Sequence, residues 1–137
     1  MKIYFCGSIR GGRDLAGLYR NVIDALKQYG QVLTEHVGNP NLTGMGEDGT
    51  PPEIFERDTS WLRECDVVIA ECSQVSMGVG YELAYADAIG KPCYVFYGKD
   101  DGRLSAMVEG NPRFAVYFYS GEEELLRLIR EVMDRIS

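Results

Sequence analysis

A glycine-rich segment, Gly7-Ser8-Ile9-Arg10-Gly11-Gly12-Arg13, directly follows the first apolar run of the chain. Glycines let a backbone approach an anion closely, and the helix expected next would present unpaired N–H groups. Ser8 adds a hydroxyl, and Arg10 or Arg13 adds a fork suited to phosphate. The segment has neither the spacing of a dinucleotide fingerprint nor the Gly-Lys-Ser/Thr of a P-loop. An ordinary strand-to-helix turn is the competing explanation. A second segment, Ser76-Met77-Gly78-Val79-Gly80-Tyr81-Glu82, puts an acid in the first turn of a helix entered through two glycines. A helix N-terminus favours the ionised carboxylate, which is the state a nucleophile needs. The alternative is a merely favourable first-turn acid. Asp58, in Phe55-Glu56-Arg57-Asp58-Thr59-Ser60-Trp61, could point over the same region. A second carboxyl beside Glu82 would supply the acid/base half of glycoside chemistry, although an acid on a short helix is most often a solvated-face residue. Tyr4 lies in the first apolar run, where core packing with a satisfied hydroxyl is the simplest role. His36 is either a local hydrogen-bonding residue or a ligand contact.

Short apolar runs alternating with amphipathic segments must position these groups, the pattern of an α/β domain. Strands are predicted at residues 2–6, 32–36, 66–71, 93–97 and 114–119. Helices are predicted at about 12–29, 52–64, 78–89 and 122–136, with one further helical turn around 104–108. Residues 38–52, rich in Gly, Asn and Pro, form a long loop. The expected architecture is a Rossmann-like or flavodoxin-like layer sandwich with a five-stranded, mostly parallel sheet. In such sheets ligands bind beyond the carboxyl ends of the strands. That rule selects loops 7–13, 36–52, 72–80 and 98–107. It puts His36, at the end of strand two, on the favoured rim and Asp66, which opens strand three, at the wrong end.

Length and charge set outer limits. At 137 residues the chain reads as one domain. Its 14 basic and 21 acidic residues give a net charge of −7. That argues against a nucleic-acid polymer or an anionic membrane as partner, though not against one small anion held by local donors. No apolar run approaches the length of a membrane span, and no signal-peptide core is visible. Cys6, Cys65, Cys72 and Cys93 have no CxxC spacing, and with a single histidine in the chain a zinc site has little support. Cys6, Cys72 and Cys93, in or beside apolar runs, read as buried thiols, and the compartment as reducing and cytoplasmic.

Four collinear blocks carry a resemblance: Tyr4–Arg13, Leu33–Val37, Gly78–Leu83 and Leu104–Met107. Together they resemble the 2′-deoxynucleoside 5′-phosphate N-hydrolases, within the nucleoside 2-deoxyribosyltransferase superfamily. The resemblance runs from Ile3 to about Met107 and weakens in the last helix. It implies cleavage of the N-glycosidic bond of a deoxynucleoside monophosphate, giving free base and 2-deoxyribose 5-phosphate, with no metal or organic cofactor. By the same resemblance Glu82 is the nucleophile, Asp58 the acid assisting base departure, and Tyr4 the residue positioning nucleophile or sugar. The implied substrate-binding set is Cys6, Gly7, Ser8, Ile9, Arg10, Gly11, Gly12, His36, Ser76, Gly78, Ser105, Ala106 and Met107. Ser8, Arg10 and Ser76 meet the 5′-phosphate, and Ile9 and His36 line the base and sugar pocket. Ser105 comes from the neighbouring subunit of a homodimer.

One position separates nucleotide from nucleoside chemistry. The deoxyribosyltransferases generally carry an aspartate six residues before the nucleophile, where this chain has Ser76. An aspartate would repel a 5′-phosphate, whereas a serine can donate to it. The remaining alternatives are a deoxyribosyltransferase, a hydrolase of ribonucleotides such as CMP, and a non-catalytic nucleotide-binding module.

Overall fold

The computed structural model describes residues 1–42 and 46–137, so part of the expected 38–52 loop lies outside the described residues. Five strands are present: β1 (Lys2–Cys6), β2 (Gln31–Val32), β3 (Val67–Glu71), β4 (Cys93–Tyr97) and β5 (Phe114–Phe118). They pair in the order β2-β1-β3-β4-β5, and every pairing is parallel. The helices are α1 (Ala16–Leu26), α2 (Pro51–Glu64), α3 (Met77–Ala88), α4 (Ala106–Glu109) and α5 (Glu122–Ile136). Alternation along the strands separates two cores. Ile3, Phe5, Val67, Ile69 and Phe96 pack against α1 and α5 on one face. Tyr4, Cys6, Val68, Ala70 and Val95 pack against α2 and α3 on the other. Strand β3 is buried along its whole length, as a central parallel strand covered on both faces must be.

Chain direction reverses across the sheet between β1 and β3. From β1 the chain crosses outward to β2; from β3 onward it proceeds to β4 and β5 on the other side. The loops leaving β1 and β3 therefore diverge and open a crevice at their carboxyl ends. Asp66 lies at the opposite end, as expected, where its Oδ2 accepts the Lys2 backbone N–H at 2.7 Å.

Two expectations need correction. The first helix begins only at Ala16, not near Gly12, because Gly12 holds φ at +133°, outside helical space. It also ends at Leu26 rather than Tyr29. Strand two is two residues long instead of five. Beyond it, the Thr34 hydroxyl replaces the ladder: Oγ1 accepts the Phe5 N–H at 2.9 Å and donates to the Phe5 carbonyl at 2.8 Å. With β1's edge satisfied by a side chain, the backbone is free to turn into a 3-10 helix at Glu35–Gly38. His36 thus sits on this turn and not at a strand end.

Thr34 is buried, so Thr34→Val keeps its shape but leaves the Phe5 N–H and carbonyl unpaired on that edge. Loss of both bonds should cost about 2–3 kcal/mol, read as a lower urea midpoint with unchanged slope.

Candidate active site

The crevice holds a cavity of about 630 Å³ lined by Gly7, Ile9, Arg10, Gly11, Glu47, Pro51, Ile54, Phe55, Asp58, Ser76, Met77, Gly78, Tyr81 and Glu82. Three segments build it. The first is the glycine loop after β1. Arg13 braces this loop through backbone carbonyls: Nη1 donates to Ser8 at 3.0 Å, Nη2 to Val37 at 2.7 Å and Asn39 at 3.0 Å, and Nε to Leu42 at 3.1 Å. Arg13 is thereby committed to structure, and Arg10 is the arginine of the loop that lines the cavity. The loop is also tied to the β3–α3 connection, since Gln74 Nε2 donates to the Gly11 carbonyl at 3.0 Å. A Cβ on Gly11 would come within 2.6 Å of the Val75 carbonyl, so this close approach requires glycine.

The second segment is α2. Its start is fixed by a capping box, Thr50 with Glu53, followed by Pro51 in the first turn. Pro51, Ile54, Phe55 and Asp58 all line the cavity, and their spacing is that of one helical face. The third is the start of α3, N-capped by Ser76, whose Oγ accepts the Val79 N–H at 3.3 Å. That leaves the Ser76 hydroxyl proton free to donate elsewhere. Tyr81 and Phe55 meet edge to face at the rim, with ring centroids 6.3 Å apart.

Glu82 lies where these segments converge. Its Oε2 accepts a hydrogen bond from the Tyr4 hydroxyl, which rises from β1. Glu82 is pushed up to about 8, chiefly by burial and in part by the nearby Asp58 and Glu47 carboxylates. The Tyr4 and Cys6 hydrogen bonds oppose that rise. Tyr4 itself is held far above its ordinary value, by burial first and then by the Glu82 charge, so it remains a donor. Burial also raises Asp58, and Arg57 opposes it.

The structure brings Gly7, Ile9, Arg10, Gly11, Asp58, Ser76, Gly78 and Glu82 to one cavity. Tyr4 and Cys6 stand behind Glu82 and reach the site through it. Ser8 is fully buried beneath the loop, with Oγ against Gly11 and no hydrogen-bond partner among the described residues. Gly12 turns away toward Gln74. His36 does not line the cavity; its Nε2 is 2.6 Å from Glu47 Oε2 and 3.3 Å from Arg57 Nη2. Ser105, Ala106 and Met107 line a separate cavity of about 740 Å³ that shares Ser76 as a wall. Glu47, Arg57, Phe55 and Tyr81 were not singled out from sequence. The i, i+4 pairs Met77–Tyr81 and Gly78–Glu82, and the face through Asp58, would have shown the lining residues of both helices.

The family model for nucleoside 2-deoxyribosyltransferase matches residues 3–115. The chain belongs to the nucleoside 2-deoxyribosyltransferase family. Among similar proteins is the 5-hydroxymethyl-dUMP N-hydrolase of Mus musculus, 50% identical over 127 residues, covering 88% of this chain and 73% of that one. The Homo sapiens protein of the same name is 45% identical over 131 residues, covering 90% and 75%. The fold matches the Clostridium botulinum CMP N-glycosidase BcmB with a TM-score of 0.72 at 17% identity, covering 96% of this chain and 99% of that one.

The raised Glu82 carries a stability signature. Between its ordinary value of 4.5 and about 8, the folded protein keeps a proton that an unfolded chain has released. That contribution is complete below the ordinary value and is lost as pH rises through about 8. Glu82→Gln removes the titration, so its melting temperature should fall less between pH 5 and pH 9 than that of the parent. Parallel declines would show that Glu82 ionises as an ordinary carboxylate.

Proposed function

We propose that this protein hydrolyses the N-glycosidic bond of 2′-deoxynucleoside 5′-monophosphates, with Glu82 as nucleophile. The observation that carries this reading is the Glu82 carboxylate, held by Tyr4 in a cavity that also presents Asp58 and Arg10. The names of the similar N-hydrolases support the same chemistry.

In this reading the 5′-phosphate docks against the glycine loop, meeting Arg10, loop N–H groups and the free Ser76 hydroxyl proton. Ser8 holds an unspent donor directly beneath. Phosphate binding energy then fixes the sugar over Glu82. The carboxylate attacks the anomeric carbon as the C–N bond breaks through an oxocarbenium-like state. The electron pair of that bond leaves with the base, which receives a proton from Asp58 or through it. Water then cleaves the sugar–Glu82 ester, giving 2-deoxyribose 5-phosphate and restoring the carboxylate. The chemistry requires negative charge on Glu82 and a proton at Asp58, so activity should follow a bell-shaped pH profile.

The homodimer and the cytoplasmic location belong to the same reading. Val75, Met77 and Met107 are strongly exposed apolar side chains around the wall that the two cavities share. A second copy covering them would bring its Ser105 segment toward Ser76 and the reacting cavity. The four cysteines are free thiols, three of them buried, consistent with a reducing compartment.

The direct test incubates the common ribo- and deoxynucleoside monophosphates, and their nucleosides, with the protein and quantifies free base by chromatography. Base release from deoxynucleotides is expected, with loss of at least about a thousandfold in Glu82→Ala. Turnover unchanged in that variant would eliminate Glu82 as nucleophile. Ser76→Asp preserves a good N-cap but sets a carboxylate against the phosphate. It should cut activity on the monophosphate by at least about tenfold while sparing the nucleoside.

A further inference from the structure

Asp58 is not presented to the cavity by α2 alone. Its Oδ1 accepts from Arg57 Nε at 2.9 Å and lies 2.8 Å from Arg57 Nη2. Oδ2 is therefore the oxygen left for the cavity. The same Nη2 donates to Glu47 Oε1 at 2.7 Å, and the guanidinium carbon lies 4.8 Å over the Trp61 ring. The other Glu47 oxygen, Oε2, lies 2.6 Å from His36 Nε2. Arg57 is thus fixed on three sides, by Asp58, Glu47 and Trp61, without lining the cavity itself. Side-chain exposures of 11% for Glu47, 24% for Asp58 and 32% for Arg57 place the cluster in partial shelter from water, where charges are weakly screened.

We propose that Arg57, locked by Glu47 and stacked on Trp61, is the positioning residue that orients Asp58 and sets its charge for proton transfer to the departing base. The proposal rests on the reading of Asp58 as the acid. The groups facing Asp58 are Arg57 on its own helix, Glu47 from the loop before α2 and His36 from the 3-10 turn, with Glu82 from α3 and Tyr4 from β1 across the cavity. Arg57 supplies the positive charge within this group, and His36 is driven toward its neutral form chiefly by burial. A neighbouring cation favours ionised carboxylates, and a neighbouring anion disfavours them. Removing Arg57 must then shift Asp58 to higher pH, whereas neutralising Glu47 must shift Asp58 and Glu82 to lower pH.

The test measures kcat and KM against pH on a deoxynucleoside monophosphate that the parent protein cleaves. Arg57→Gln should move the profile to higher pH and lower maximal kcat at least tenfold, with KM changed less than threefold. Arg57→Lys keeps the charge but loses the fork and the stacking. It should return the profile to the parent's pH while leaving kcat reduced. Glu47→Gln should displace the profile the opposite way, and it keeps the proposal testable if Arg57→Gln does not fold. Profiles that superimpose on the parent's, or losses confined to KM or to melting temperature, would overturn the proposal. A parent protein that releases no base from any nucleotide would instead remove the functional reading beneath it.

Discussion

The Tyr4–Glu82 hydrogen bond is the constraint around which the fold is arranged. A carboxylate held largely within protein is costly to ionise unless donors meet it. Tyr4 can serve only because β1 is central enough to bury its ring and ends at the crevice where α3 begins. The parallel order of the sheet makes both conditions hold together. Strands β1 and β3 deliver their carboxyl ends side by side, and the connections diverge to leave room above them. Shifting β1 by one residue would turn Tyr4 toward the α1–α5 face and separate it from Glu82.

Around that bond, charge is distributed unevenly. Three carboxylates, Glu47, Asp58 and Glu82, surround one cavity. Two of them share the Arg57 guanidinium; Glu82 has neutral donors. The consequence is a division of roles between acids of similar intrinsic strength. Burial raises Asp58 as well, but its Arg57 ion pair opposes that rise, whereas Glu82 keeps its proton to unusually high pH. Substrate chemistry in the proposed direction needs the reverse distribution. An anion seated by Arg10 and the glycine loop would hold the Glu82 proton more tightly still, as the neighbouring carboxylates already do, so the reactive form is a minor titration state of the site.

Much of this was legible in the sequence, for identifiable reasons. Strands β1 and β4 and helix α5 have apolar patterns bounded by clear turn residues, and they form where the pattern puts them. Helix α2 is expected from about residue 52, and the Thr50–Glu53 capping box sets its start at Pro51. Strand β2 and the start of α1 were misread because periodicity does not register a side chain taking over a backbone role. Thr34 looks like one more strand residue until its hydroxyl is seen closing the edge of β1. Glu47 was hidden differently. It lies among Gly, Asn and Asp, where an acid reads as solvent-facing, and only the fold folds that loop back onto His36 and Arg57. Glu82 and Asp58 emerged because chemistry restricts what a paired carboxylate does. Their supporting residues did not, because structural roles are chemically permissive.

Arg13 is bound by four backbone carbonyls, and among the described residues no carboxylate forms an ion pair with it. Peptide dipoles solvate its charge without cancelling it. The glycine loop therefore retains a full positive unit at its base, with Arg10 adding another at its rim. In a protein of net charge −7, such a local reversal shapes the field around the molecule. An anion approaching this mouth meets Arg10 and Arg13 on the glycine-loop side, opposite the Glu47 and Asp58 carboxylates of the same cavity. Capture of an anionic ligand would then depend on ionic strength through that local field as well as through the overall charge.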